Sequence, residues 1–346
     1  MQLTLADDDP TRRTVAGLDA VQLYQLGQFR QARSRFETLA LAADTRDLAL
    51  SYIALIDRAL AEAGGAGWTL NLPADGPVLW EADWIRMLFG PVVTAEVIDD
   101  RTGLAADRSI IVDFALTAAK DAYYQRNFEH GVRQVLVHLS DEYYADSTLA
   151  YRWCQRVYRN YWSPAMVGLG GVCFFPLGYK TGFARPNEAP RPAAERAYVW
   201  SFVGDPGKHT RAVMRRYMRG VPGGFEHLIS GWDSADSLST EDYRRVLDQS
   251  LFVPCPAGGA NLDSYRVYEA LEAGCIPIVT DRPGYAYFDR LLPGHPLPVI
   301  SDWSQAPGLI EALVAGGECE RLRQTCRAWW SAHKAQLIDQ VRADLG

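Results

Sequence analysis

Hydrophobic positions change their period along this chain, and the changes mark out its parts. Over 14–64 apolar residues recur at helical spacing in "LDAVQLYQLGQFRQARSRFETLALAA" and "DLALSYIALIDRALAEAG". That spacing predicts two amphipathic helices, the first interrupted by Gly27 at a helix turn and the second ended by Gly64 and Gly65. The order Leu23, Tyr24, Gly27, Phe29, Ala32, Phe36 resembles a tetratricopeptide repeat, though a generic helical hairpin accounts for it as well. A single repeat cannot bury both of its faces, so the hairpin is expected to be a cap on the next domain; it is also a surface a partner protein could use.

After "GGAGW" at 64–68, a plausible linker, short apolar runs alternate with helical stretches. The runs "AEVI" (95–98), "SIIVDF" (109–114), "QVLVHL" (134–139) and "VCFFPL" (172–177) read as strands. "WEADWIRMLF" (80–89) and "TLAYRWCQRVYRNYW" (148–162) read as helices between them. A second series follows a Pro- and charge-rich stretch at 184–197: "AYVWSFVG" (197–204), "FEHLIS" (225–230), "SLFVP" (250–254), "CIPIVTD" (275–281) and "LPVIS" (297–301). The helices "HTRAVMRRYM", "TEDYRRVLDQ" and "DSYRVYEALEAG" separate them. Strand–helix alternation predicts parallel sheets covered by helices. The expected division is a helical cap at 1–65, a Rossmann-like domain at 66–190 and a second at 191–346. Doubly wound units take ligands at the carboxyl ends of their strands.

Composition narrows the function. The 346 residues are 48% apolar and carry a net charge of -7, which offers no basic excess for a nucleic-acid partner. The N-terminus lacks an apolar signal core, and no stretch is long enough to span a membrane, so a cytoplasmic location is expected. Six cysteines form no CxxC pair and read as buried free thiols.

The chemistry concentrates in "CPAGGANLDSYRVYEALEAGCIPIVTD", 255–281. A strand ends at Pro256, a loop of glycines follows, and Asp263 is placed to cap a helix that starts at Ser264. Arg266 and Glu269, three apart, share a helix face. A helix N-terminus with an arginine suits an anion such as a diphosphate, and a glutamate one turn deeper suits a pair of sugar hydroxyls. The competing reading is an Arg266–Glu269 ion pair on an exposed helix, which leaves the glycine loop and cap unexplained. "GDPGKHT" (204–210) lacks the first glycine of a phosphate-binding loop, "GLGGVC" (168–173) lacks the flanking strand and helix of a dinucleotide fingerprint, and "IDD" (98–100) is no DxD. No zinc spacing or serine-hydrolase elbow is present.

The 255–281 block resembles the signature of exostosin-like glycosyltransferases. "HLSDE" (138–142), "YRNYW" (158–162), "FFPLGYKTGF" (174–183) and "WSFVGDPGKHTRAVM" (200–214) are similar to blocks of the ribitol xylosyltransferase-like branch, in order over about 78–305. The resemblance implies a GT-B fold: two Rossmann-like domains facing a cleft, with the nucleotide donor in the C-terminal one. It implies transfer of a sugar from a nucleotide-diphosphate donor, a UDP-sugar favoured, to a glycan, lipid-linked or small-molecule acceptor, without a metal. Donor contacts would fall to Arg266, Glu269, Ser264, Asn261, Arg211 and Lys208. Asn261 stands where many retaining enzymes carry a second glutamate, which favours inversion. Inversion needs a base, and Glu142 or Asp141, just past the strand "VLVHL", is so placed. His138 reads as a core histidine, and Tyr179 and Lys180 as residues lining the cleft. Two alternatives stand beside this reading: a GT-B-like nucleotide-sugar epimerase, and a non-catalytic binding protein that uses its helical cap.

Overall fold

A computed structural model describes residues 19–25, 29–61, 67–74, 80–169, 171–185, 188–207, 209–231 and 234–346. It forms two compact units. The first holds residues up to 78, 92–174 and 344–346; the second holds 79–91 and 175–343. Residues 175–190, counted with the first domain in the sequence reading, therefore group with the second unit, as does the helix "ADWIRMLF".

In the first unit six parallel strands, β1 Trp68–Pro73, β2 Val93–Asp99, β3 Arg108–Phe114, β4 Arg133–Leu139, β5 Arg156–Arg159 and β6 Val172–Phe174, lie in the order β2-β1-β3-β4-β5-β6. Helical residues 19–25 (α1), α2 Phe29–Leu39 and α3 Arg46–Ala61 pack through Tyr24, Phe36 and Tyr52 onto Phe128, whose ring lies 4.7 Å from that of Tyr52. Gly27, Gly64 and Gly65 lie outside the described residues.

One expectation needs correction here. The stretch 148–162 is a 3-10 turn at Leu149–Trp153 followed by β5, not one helix. Val157 and Tyr158 are buried between β4 and β6, so ladder pairing overrides a pattern that fits a helix equally well. Of the linker stretch "GGAGW", residues 64–66 lie outside the described residues; Trp68 is the first residue of β1, and its indole N–H donates to the carbonyl of Leu345.

The second unit repeats the topology. Strands β7 Tyr198–Gly204, β8 Gly224–Leu228, β9 Ser250–Cys255, β10 Ile276–Thr280 and β11 Val299–Ile300 are all parallel, in the order β11-β10-β9-β7-β8. Both sheets therefore follow the doubly wound order 2-1-3-4-5 from their first strand onward. In the second sheet the order reverses between β7 and β9, and the crevice outside their carboxyl ends is where such folds bind ligands. Trp200, Phe202, Met214, Phe252, Ile276, Ile278 and Trp303 form the core beneath it.

α4 Ala82–Phe89 belongs to this unit, with the extended strap 175–185 beside it. Trp84 donates to the carbonyl of Pro176 and stacks on Trp330 of α12 (Cys319–Leu345), with ring centres 5.5 Å apart. Gly178 adopts φ 76, and a Cβ there would lie 2.3 Å from the Trp84 ring, so only glycine lets the strap pass. Among the described residues, no helix is long and apolar enough to cross a membrane.

Candidate functional site

β7 ends at Gly204, whose φ of 150° lies in a region that favours glycine. Its missing side chain matters, because a Cβ would lie 2.7 Å from Nη2 of Arg266. That Nη2 donates to the carbonyl of Val203 at 2.8 Å, and the guanidinium lies 4.8 Å over the Phe202 ring. The strand end thus holds the arginine by its backbone and by a cation–π contact. Nε of Arg266 is buried and has no hydrogen-bond partner.

α7 His209–Met218 begins after a turn in which Asp205 accepts from the N–H of Gly207 at 2.7 Å. From its first turn Arg211 donates to the carbonyl of Asp205 at 2.9 Å and to that of Gly258 at 3.5 Å. It therefore staples the β7–α7 turn to the glycine loop after β9. Lys208 lies outside the described residues.

The glycine loop closes on itself, with the N–H of Gly258 donating to the carbonyl of Asn261. The buried Asn261 accepts from the N–H of Asp263 through its side chain. The helix that follows, α9 Tyr265–Glu272, is capped one residue later than expected: Ser264, extended at φ -157, is the N-cap. Asp263 is buried and turned inward instead, taking the N–H of Ser264 and the Tyr268 hydroxyl on one oxygen. The Ser264 hydroxyl makes no cap bond; it is buried without a partner at the positive end of the helix.

Glu269 is 7% exposed. Burial pushes its carboxyl up from the ordinary value of 4.5, against the pull of the nearby Arg266, the Tyr243 hydroxyl and the backbone N–H of Lys180. It forms no ion pair with Arg266, so the surface-pair reading of these two residues fails. Arg266 turns to β7, and Glu269 turns to α8 Thr240–Asp248, which carries Tyr243, and to the strap. Arg266, Arg211, Ser264, Asn261 and Glu269 thus gather where the second sheet reverses.

Residues 192–343 match the family model of the RXYLT1 C-terminal domain. The matched residues lie within the second unit. The likeness to the ribitol xylosyltransferase-like branch, read from the 255–281 block, holds for it. Ribitol-5-phosphate xylosyltransferase 1 of Danio rerio is 29% identical over 126 residues, which is 33% of this chain and 29% of that protein. The chain thus spans less than a third of the length of the curated relative it matches. Two solved structures of Anabaena Alr3699/HepE, with UDP-glucose and with UDP, resemble the chain at TM-scores of 0.48 and 0.45. They are 10% and 12% identical and cover 81% and 80% of this chain and 99% of each of theirs.

Outside the matched residues, Asp141 and Glu142 follow β4 as expected, but they differ in use. Asp141 is buried; it pairs with Arg159 at 3.1 Å and accepts from the N–H of Ala145 at 2.8 Å. That engagement makes it a strut for the turn. Glu142 is half-buried, on a turn flanked by Ser140 at φ 64 and Tyr144 at φ 54. Left-handed non-glycine residues store strain and cluster at functional turns. His138 is a buried, bonded histidine: one ring nitrogen meets the Tyr151 hydroxyl at 2.7 Å and the other Asp146 at 2.9 Å. Metal-ligating atoms of His138, Asp141 and Asp146 lie within 4.8 Å of one another, a grouping no spacing suggested, and each is already engaged by the protein.

The two cleft-lining residues separate as well. Tyr179 is 3% exposed and packs edge-on against Trp84 at 5.4 Å, so its ring is core. Lys180 is half-buried, with its N–H on Glu269. The sequence reading missed Gly204, Tyr243 and Glu81. Gly204 stood in plain view in the "VGDPGK" turn; the other two carry no motif.

Proposed function

We propose that this chain is a glycosyltransferase that moves a sugar from a nucleotide-diphosphate donor, a UDP-sugar by family likeness, to a glycan, lipid-linked or small-molecule acceptor. The observation that carries the reading is Arg266, held at the end of β7 beside the N-terminus of α9, within residues that match the RXYLT1 C-terminal domain. Arg266 and Arg211 would neutralise the diphosphate, with the Ser264 hydroxyl and the first N–H groups of α9 as further donors. Glu269 would accept from two ribose hydroxyls. Asn261 shapes the loop beside them.

The reaction proposed is a direct, inverting displacement. The acceptor oxygen attacks the anomeric carbon opposite the leaving group, and Glu142 takes the acceptor's proton. The bond between the anomeric carbon and the diphosphate oxygen breaks with its electron pair on the diphosphate. The two arginines stabilise that growing charge, a task a metal would otherwise perform, so no metal is required. Asp141, committed to Arg159, would hold the turn.

A thermal-shift panel of UDP, GDP, CMP and ADP with and without magnesium tests this reading. The expected result is stabilisation by UDP that magnesium does not alter and Arg266→Ala sharply reduces. Strict magnesium dependence overturns the metal-free mechanism, and no shift with any nucleotide overturns the donor site.

A further inference from the structure

Glu81 is a fully buried carboxylate whose environment the proposed chemistry leaves unexplained. It precedes α4 at the N-cap position, yet its side chain caps nothing. It is 0% exposed; one carboxylate oxygen accepts from the Tyr265 hydroxyl, and the other is buried without a partner. Burial raises its carboxyl to about 7, and the Tyr265 hydrogen bond only partly opposes that rise. A chain that needed Glu81 only for packing would do better with an apolar residue, because a half-satisfied buried carboxylate costs stability.

What Glu81 touches gives the reason. Tyr265 is the first residue of α9, between the Ser264 N-cap and Arg266. Among the described residues, the Ser264 hydroxyl beside it and the Nε of Arg266 are also buried and without a partner, so unsatisfied polar atoms gather around this helix end. We propose that Glu81 is a positioning residue which, through the Tyr265 hydroxyl, holds the first turn of α9 in the geometry that receives the donor diphosphate. The inference rests on the donor-site reading above and adds to it a residue with no motif of its own. The ionised carboxylate is the stronger acceptor, so the hold weakens as Glu81 takes up a proton.

The charged groups on the neighbouring elements have other partners. Asp83 of α4 faces Arg86 at 3.5 Å and accepts from the N–H of Gly182 at 2.8 Å. Lys180 and Arg266 act on Glu269, and Lys334 of α12 pairs with Glu272 at 2.7 Å. Tyr265 is the side chain that acts on Glu81.

The test is calorimetric titration of the full chain with UDP between pH 5.5 and 8.5, for the wild type, Glu81→Gln, Tyr265→Phe and Arg266→Ala. For the wild type we expect UDP affinity to fall about tenfold on acidification, with a midpoint near 7. Glu81→Gln should bind about tenfold more weakly at pH 8 and lose that midpoint, while melting no lower than the wild type because a buried charge is gone. Tyr265→Phe should show the same weaker, pH-independent binding. Wild-type affinity and pH profile in folded Glu81→Gln, with binding weakened about 10- to 100-fold in Arg266→Ala, would overturn this inference and leave the donor site standing. Absence of UDP binding by the wild type would overturn both.

Discussion

The guanidinium of Arg266 lies 4.8 Å above the Phe202 ring while donating to the carbonyl of Val203, one residue further along the same strand. An arginine clamped in this way has little freedom to lose on meeting an anion, and its face is already desolvated on one side. Arg266→Ala should weaken nucleotide-diphosphate binding by about 10- to 100-fold. Arg266→Lys should recover only a small part, because an ammonium cannot stack and bond in the same plane. Titration with UDP checks both.

Gly204→Ala tests the clamp from the other side. Its Cβ would press within 2.7 Å of Nη2 of Arg266 at a φ of 150°. Gly182, at φ 78 with nothing within 4 Å, is the control that bears backbone strain without the clash. Both variants should lose about 1–3 kcal/mol of stability. Only Gly204→Ala should also lose nucleotide affinity, read by denaturation and titration of the same samples.

The two carboxylates after β4 should part company when mutated. Asp141→Ala leaves the buried guanidinium of Arg159 without its carboxylate and should cost about 3–5 kcal/mol of stability. Glu142→Gln should lower the melting temperature less than Asp141→Ala does, and, as the base, should lower turnover by about 10²–10⁴-fold. Full turnover in Glu142→Gln would move the proton transfer to another group.

The buried Glu269 makes stability depend on pH in a stated direction. Its folded carboxyl is raised above the ordinary 4.5, so the folded state binds more protons than the unfolded chain. The contribution is fully present below about pH 4.5 and is lost as pH rises through the raised folded value. Glu269→Gln should therefore flatten stability against pH between the ordinary 4.5 and the raised folded value, and stabilise the fold at neutral pH, while weakening nucleoside binding through the lost ribose acceptor. Urea midpoints measured across the pH range, with UDP titration alongside, check both halves.

Periodicity and punctuation along the chain determined most of the secondary structure. Strands such as "QVLVHL" and "SLFVP" are buried on both faces, so they read as apolar runs whatever surrounds them. The site block at 255–281 was legible for a similar reason: glycine loop, cap, arginine and glutamate are local chemistry, fixed by spacing on one helix. Tertiary structure decided what spacing cannot carry. β5 is a strand because β4 and β6 flank it. Ser264 takes the N-cap position of α9 because Asp263 is turned inward to Tyr268. Arg266 meets Val203, Glu269 meets Tyr243, and Glu81 reaches Tyr265 across 184 residues of chain, through contacts set by how helices lie on the sheet. Such long-range pairings leave no periodic mark, and so Asp141 and Glu142, adjacent and chemically alike in the sequence, became distinguishable only once Arg159 claimed one of them.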